Sequence, residues 1–341
     1  LSLLSIIFKI HMSNQNISKK ILYWYDNNKR ILPWRKKTSK SQKEYFTLVS
    51  EFMLQQTQVK TVIPYFNNFI SKIPNLKSLS KVSDKKLMKC WEGLGYYSRA
   101  RNLKNTAKKI INEFEGNLPS NEQDLKSLPG VGDYTSKAIM AIVFNKKIIP
   151  LDGNIERVLK RVFNLKKYEE ISKENLNKKK IFFGDTSRSG DYVQAIMEIG
   201  ALICKPISPL CNECPISKNC ISFKKKDFEL ISKNKFNKEK FFEVSIFQNK
   251  NKKYLLLKNK KFNFLKGMPI FPMHEISKLQ FKNYIGKKIN IKISNIDMKI
   301  LLKKKKNFSK FKNSLLIGTN EINDWTLPSF TKKILNTVKR N

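Results

Sequence analysis

The sequence predicts a mainly α-helical N-terminal region followed by a smaller α+β domain. Three features point to it. From about Asn16 to Phe223, apolar residues recur at helical spacing in segments broken by Pro, Gly and Asn. From Lys224 to Lys240 the chain is charged and loses that periodicity, as a linker does. Beyond it come short apolar runs of strand length. The expected organisation is an extension over 1–15, a helical domain over 16–223, a linker over 224–240 and an α+β domain over 241–341.

In the helical region, Tyr45, Leu48, Val49, Phe52 and Met53 share one face of a helix over Glu44 to Gln56. Further helices are expected over Ser98 to Phe114, Tyr134 to Phe144, Asn154 to Phe163 and Asp191 to Cys204. In the second region, Phe242 to Phe247 and Tyr254 to Lys258 flank Asn249-Lys250-Asn251-Lys252, the pattern of a hairpin. Lys288 to Leu302 reads as further strand, Lys303 to Lys306 as a solvated turn, and Pro328 to Val338 as a closing helix opened by proline and Ser329.

Composition narrows the chemistry. The 341 residues hold 68 Lys+Arg against 27 Asp+Glu, a net charge of +41, which favours a polyanionic partner. Lys, Asn and Ile are inflated throughout, as an AT-rich genome would produce, so part of that excess is compositional drift. Only two histidines are present, His11 and His274, each isolated. Triads and Cys-His nucleophiles need an imidazole, so acid–base work falls to carboxylates, Tyr or Lys. Leu1 to Ile10 are apolar but too short to span a bilayer, and Met12 reads as the start of translation. The expectation is a soluble, cytoplasmic protein with reduced thiols.

Cys204, Cys211, Cys214 and Cys220 give C-x6-C-x2-C-x5-C. Four thiols packed so closely in an intracellular chain form a metal or cluster site rather than disulfides, and four thiolates suit either zinc or a [4Fe-4S] cluster. Leu128-Pro129-Gly130-Val131-Gly132 lies between two helical segments. A glycine turn there, with Gly130 and Gly132, exposes backbone N–H groups at a helix N-terminus to a DNA phosphate, although the same turn can serve as a plain connector. Glu51 lies on a mostly apolar helix, where desolvation raises a carboxyl pKa toward that of a proton donor. Asp152 precedes a helix, where backbone N–H groups and the dipole favour the ionised form. One carboxyl suited to give a proton and one suited to stay charged are the equipment for cleaving a glycosidic bond.

Six motifs in order carry a family resemblance: Leu32-Pro33-Trp34-Arg35, Ser50-Glu51 through Val59, Gly93-Leu94-Gly95-Tyr96-Tyr97 through Leu103, Leu128 to Gly132, Leu151-Asp152-Gly153-Asn154, and the four cysteines. Over roughly residues 20 to 223 the chain resembles the MutY-type adenine DNA glycosylases of the helix-hairpin-helix, iron-sulfur superfamily. The resemblance implies base-excision repair of duplex DNA in which adenine faces 8-oxoguanine or guanine, by a nucleoid-associated monomer carrying one [4Fe-4S] cluster. It implies that Glu51 protonates the extruded adenine and then assists water, that Asp152 stabilises the cationic sugar, and that Gln56 and Tyr96 wedge into the duplex. Trp34, Arg35 and Glu198 match the adenine pocket, and Asn154 joins the DNA-binding set.

The rival branch, endonuclease III, attacks the sugar with a lysine two residues after the hairpin's last glycine. Tyr134 stands there, and a phenol forms no Schiff base, so a monofunctional enzyme is expected. In this family a Tyr at that position helps stabilise the intermediate. A non-catalytic iron-sulfur DNA-binding module is disfavoured by the presence of both Glu51 and Asp152. The second domain is similar to the family's Nudix-like lesion reader, without a Glu-rich Nudix box. Ser294, in Ile293-Ser294-Asn295, is its expected 8-oxoguanine contact.

Overall fold

The computed structural model describes residues 17–166, 174, 183, 186–229, 238–293, 296–305, 314–322 and 324–339. The backbone gathers into two compact units. One holds residues 1–67, 74–80 and 103–232, and the other 68–73, 81–102 and 233–341. Residues 81–102 thus group with the C-terminal strands, whereas the sequence alone assigns them to the helical domain.

The first unit is helical. Helix α1 covers 17–28, and a 3-10 turn at Pro33–Arg35 leads to α2, Lys40–Leu54. The Ser39 hydroxyl caps α2 by accepting from the Gln42 amide, so the helix begins four residues earlier than its apolar face suggests. Helix α3 covers Val59–Lys72, α4 Leu76–Lys81, α5 Asp84–Trp91 and α6 Ser98–Glu113; of these α5 belongs wholly to the second unit, as do the end of α3 and the start of α6. Helices α7, Glu122–Ser127, and α8, Asp133–Ile142, flank the glycine turn. They are followed by α9, Gly153–Val162, and α10, Ser189–Glu198.

A π-helical turn, Ile199–Ile203, carries α10 directly to the cysteine loop, which ends in α11, Ile221–Lys224. One core joins Ile21 and Tyr25 of α1, Ile155 and Leu159 of α9, and Ile196 and Ile199 at the end of α10. Two glycines let elements approach closely. A Cβ on Gly190 would lie 3.0 Å from the Ala141 and Ile142 carbonyls, and one on Gly200 would lie 2.5 Å from the Asn154 Cβ.

In the second unit, one sheet has the order β4-β1-β6-β5 and another the order β3-β2-β7. The strands are β1 Lys238–Phe247, β2 Tyr254–Lys258, β3 Pro269–Ile270, β4 Met273–Glu275, β5 Lys288–Ile293, β6 Ile296–Lys305 and β7 Ser314–Ile317. The expected hairpin of the first two strands does not form. Strand β1 pairs in parallel with β6 along its whole length, and β2 joins the other sheet, leaving a single bridge between Gln248 and Tyr254. The lysine run is corrected too. Lys303–Lys305 are the end of β6, carried on by backbone pairing with Ser245–Phe247, and Glu243 of β1 lies within ion-pair reach of Lys303 and Lys305; Lys306 lies outside the described residues.

Helix α12 covers Lys278–Asn283, and the closing helix α13 covers Ser329–Lys339. Leu327, Phe330, Ile334 and Leu335 pack into the core of this unit with Phe242, Ile300 and Ile317. Ser294 lies outside the described residues. Among the described residues no helix is long and apolar enough to cross a membrane.

Candidate active site

A cavity of about 760 Å³ opens in the helical unit, lined by Glu51, Tyr134, Asp152, Asn154 and Glu198 together with Trp34, Arg35, Gln55 and Gln56. Five distant stretches of sequence converge there. Glu51 is supplied by α2, whose apolar face packs inward and carries the carboxyl with it, leaving the residue 7 % exposed. Burial, joined by the nearby negative charge of Asp152, pushes its pKa up to about 7. A hydrogen bond donated by the Tyr134 hydroxyl and the charge of Arg35 work against that rise. Near neutral pH Glu51 therefore divides between acid and base, as a group that gives and takes a proton requires.

Asp152 caps α9. Its Oδ1 accepts from the Ile155 amide at 2.7 Å, and its Oδ2 accepts from Asn154 Nδ2 at 2.9 Å. The cap alone would hold its pKa down, but burial outweighs the cap and raises it. This modifies the sequence expectation: the bonds that favour the anion are present and oppose a desolvation larger than they are. Asn154 in turn accepts from Arg157 Nη2 at 2.8 Å, and Arg157 also donates to the Gly200 and Cys204 carbonyls at 2.6 and 2.7 Å. The side chain of Asn154 is thus engaged in orienting Asp152. The whole arrangement is tied to the chain entering the cysteine loop.

At another part of the wall Glu198 is completely buried. Arg30 grips it with Nε at 2.7 Å and Nη2 at 2.8 Å, and Arg35 Nη1 reaches it at 2.9 Å. Burial works to raise its pKa, yet the two guanidinium groups outweigh it and hold Glu198 as a carboxylate. The buried Nε of Arg35 has no hydrogen-bond acceptor among the described residues. Trp34, in the turn before it, is braced edge-on by Phe66 with 5.3 Å between ring centres.

Gln56 ends this segment in the left-handed region, φ 56°, with its side chain exposed beside the cavity. Its neighbour Gln55 donates from Nε2 to the Gly130 carbonyl at 3.3 Å, which ties the chain after α2 to the glycine hairpin. Gly130 has φ 83°, a value that favours glycine, and Gly132 is the N-cap of α8 with open space where a Cβ would be. Within that turn the Val131 amide bonds the Leu128 carbonyl at 3.1 Å. Lys137, the nearest lysine to Tyr134 in α8, is paired with Asp133 at 2.7 Å and does not line the cavity.

Tyr96 belongs to the second unit. Its turn is left-handed at Gly93, Gly95 and Tyr96 itself, and Tyr96 is 42 % exposed. The four cysteines line one small hollow with Arg161, Ile199 and Ile203. Burial raises the pKa values of Cys211, Cys214 and Cys220, and the neighbouring cysteines raise them further. Arg161 reaches Cys204 Sγ at 3.5 Å and bonds the carbonyls of Lys205 and Pro206. Among the described residues no three such ligands stand close enough to hold one metal ion. Four cysteines around one hollow, with no histidine or carboxylate among its lining, are an all-sulfur donor set whose chemistry suits an iron-sulfur cluster or zinc.

Residues 49–180 match the family of HhH-GPD superfamily base excision DNA repair proteins. An adenine DNA glycosylase of Buchnera aphidicola subsp. Schizaphis graminum is 34% identical over 351 residues, covering 94% of this chain and 98% of that protein. The chain belongs to the adenine DNA glycosylase family. It is an enzyme of base excision repair, a hydrolase of N-glycosyl bonds. The Rattus norvegicus adenine DNA glycosylase is 42% identical over 209 residues, which cover 59% of this chain and 40% of that longer protein. Among solved structures, a thermostable thymine-DNA glycosylase superposes with a TM-score of 0.54 at 27% identity, over 63% of this chain and 98% of its own. Endonuclease III in a non-covalent DNA complex gives 0.51 at 20% identity, over 63% and 99%, and shows the shared fold.

Sequence reasoning missed Arg30 and Arg157. Arg30 is 168 residues from Glu198, and nothing local marks it. Arg157 carried a signal, since it follows Asn154 by one helical turn on α9, where a side chain of either sign faces the same side.

Proposed function

We propose that this glycosylase removes adenine mispaired with 8-oxoguanine or guanine from duplex DNA, by a monofunctional mechanism in which Glu51 and Asp152 divide the work. The observation that supports this reading is the pair's unequal surroundings within one cavity: burial raises both carboxyls, Glu51 to about 7, but on Asp152 a backbone amide and Asn154 oppose the rise by bonding the anion. Protonated Glu51 gives its proton to the extruded adenine as the bond to the sugar breaks. The carboxylate of Asp152 then faces the cationic sugar, and ionised Glu51 takes a proton from the water that adds to it. Tyr134 donates to Glu51 and offers no amine for a Schiff base.

Trp34, Arg35 and Glu198 would form the adenine pocket, with Arg35 Nε aimed at a ring nitrogen. Gly130 and Gly132 would hold a phosphate. Gln56 and Tyr96 would fill the space that the extruded base leaves. Cys204, Cys211, Cys214 and Cys220 would hold one [4Fe-4S] cluster, which when bound would cross-link the loop that Arg157 and Arg161 join to α9. Residues 241–341 would act as the Nudix-like lesion reader of a monomer working in the bacterial cytoplasm, beyond a linker over 224–240 and a glycosylase domain over 16–223.

The test is incubation with duplexes holding A:8-oxoG or A:G, followed by alkali. Strand breaks that need alkali and fall at least about a hundredfold in Glu51→Gln are expected, since a positioned acid contributes roughly 10²–10⁴-fold. Breaks without alkali would overturn the monofunctional reading. Lys60, which lines the cavity with its side chain exposed, would then be the first residue to replace. Visible absorption that disappears when all four cysteines are replaced would identify the cluster.

A further inference from the structure

The turn that presents Tyr96 is stiff within itself. Trp91 Nε1 donates to the Gly95 carbonyl at 3.1 Å, and Arg99 Nη2 donates to the carbonyls of Leu94 and Gly95 at 3.3 and 3.2 Å. The Arg99 guanidinium lies 5.3 Å from the centre of the Tyr96 ring and 5.6 Å from that of Trp91. A turn so cross-tied moves as one piece, so the position of Tyr96 is set by what holds the ends of the turn.

Both ends are fastened to the C-terminal part of the same unit. At the far end, Arg101 Nη2 reaches Met268 Sδ at 3.5 Å, and a Cβ on Gly267 would come within 2.9 Å of that nitrogen. At the near end stands Glu92, whose side chain is only 13 % exposed. One of its oxygens takes the Leu327 amide at 3.3 Å and Lys332 Nζ at 2.8 Å, while the other takes Lys89 Nζ at 2.9 Å. Leu327 is buried in the core of the β-sheets, and Lys332 lies on α13, so Glu92 bonds a fixed part of the fold. A carboxylate that joins a backbone amide and two ammonium groups makes stronger, better-directed bonds than a neutral group would.

We propose that Glu92 is a positioning residue for base extrusion: it pins the turn carrying Tyr96 to Leu327 and α13, so that the C-terminal sheets set the depth and angle at which the Tyr96 ring enters the duplex. This rests on the wedge role given to Tyr96 above. Glu92 touches no substrate and acts through Tyr96. Its loss therefore slows extrusion and leaves the chemical machinery of Glu51 and Asp152 intact.

The test is a double-mutant cycle on the full chain, with single-turnover cleavage of an A:8-oxoG duplex and the fluorescence of a 2-aminopurine beside the target adenine as readouts. Tyr96→Ala and Glu92→Ala are each expected to slow cleavage and the fluorescence rise by about tenfold, and the double variant to be no slower than Tyr96→Ala alone, as for two residues acting as one unit. Glu92→Gln keeps an acceptor for the Leu327 amide and should fall between wild type and Glu92→Ala. This guards against a variant that merely unfolds. Additive losses, or a Glu92→Ala protein with unchanged extrusion, would overturn the proposal. If Tyr96→Ala itself changes neither readout, the wedge reading has failed instead.

Discussion

Two buried glutamates line one cavity and meet opposite electrostatic fates. Glu51 and Glu198 are 7 % and 0 % exposed, and burial raises both. Around Glu51 the strongest charge is another carboxylate, Asp152, and the group is pushed to about 7. Around Glu198 stand two guanidinium groups, and it stays below the usual carboxylate range. Desolvation makes a carboxyl sensitive, and its neighbours decide the sign. One fold can thus hold a proton donor and a permanent anion in the same cavity, the first suited to catalysis and the second to holding a wall in shape.

The largest effect on stability should come from breaking the cationic side of that comparison. Glu198→Ala leaves Arg30 and Arg35 partly buried with no carboxylate between them, a change that costs about 3 kcal/mol or more in buried ion pairs. Urea unfolding at neutral pH should show that loss. Glu198→Gln, which keeps an acceptor, should show less. Equal stability of Glu198→Ala and the parent would mean that the triad does not hold the wall.

Glu51 should behave in the opposite way. Its folded pKa of about 7 lies above the ordinary 4.5, so the folded protein retains a proton that the unfolded chain has released between those values. Stability conferred by neutral Glu51 is therefore complete below about 4.5 and is lost as pH rises through about 7. Glu51→Gln, uncharged at every pH, should match the parent at low pH and exceed it above neutrality, by on the order of 3 kcal/mol at most. Glu198 has the reverse sign: its contribution is present above the ordinary carboxylate value and is lost as pH falls through its lowered one. Urea midpoints of Glu51→Gln measured from pH 4 to 9 test this. A constant difference across that range would remove the assigned shift.

These contrasts also show what could be read in the sequence. Glu51 on an apolar helix face, Asp152 before a helix and the four closely spaced cysteines carry local signals that the sequence shows, whereas Tyr134 is singled out only through the family resemblance. The helices were legible for the same reason, with ends displaced by caps such as Ser39 that precede the apolar face. Strand pairing was not, because β1 finds β6 rather than β2 and the choice depends on the whole sheet. Arg30 and the Glu92–Lys332 pair were hidden similarly, since each partner lies more than a hundred residues away and either residue alone reads as surface charge.

Close packing around Asp152 gives a smaller expected effect. Gly200 lies so near Asn154 that an added methyl must move it, and Asn154 is a donor to Asp152. Gly200→Ala should cost about 1–3 kcal/mol, the usual range for an overpacked site. It should also lower the single-turnover rate by more than its stability loss explains, because the displaced Asn154 no longer orients the carboxylate. A rate unchanged at a temperature where the variant is fully folded would show that Asp152 keeps its place without Asn154.

The smallest expected effect isolates burial as the variable. Arg188 bonds Asp26 and Asp191 at 2.7 and 2.8 Å, so one guanidinium between two carboxylates repeats in reverse the composition of the Arg30–Glu198–Arg35 triad. Here, however, all three side chains are about two-fifths exposed. Water already solvates each charge, so bringing them together releases little, and ordering three side chains offsets much of that. Arg188→Ala should therefore change stability by less than about 1 kcal/mol, and that small change should shrink further in added salt. The loss from Glu198→Ala should respond less to salt, since Glu198 itself is out of contact with solvent ions. If the two triads respond alike to salt and mutation, the contrast between Glu198 and its exposed counterpart does not come from burial, and the reasoning applied to Glu51 loses its basis as well.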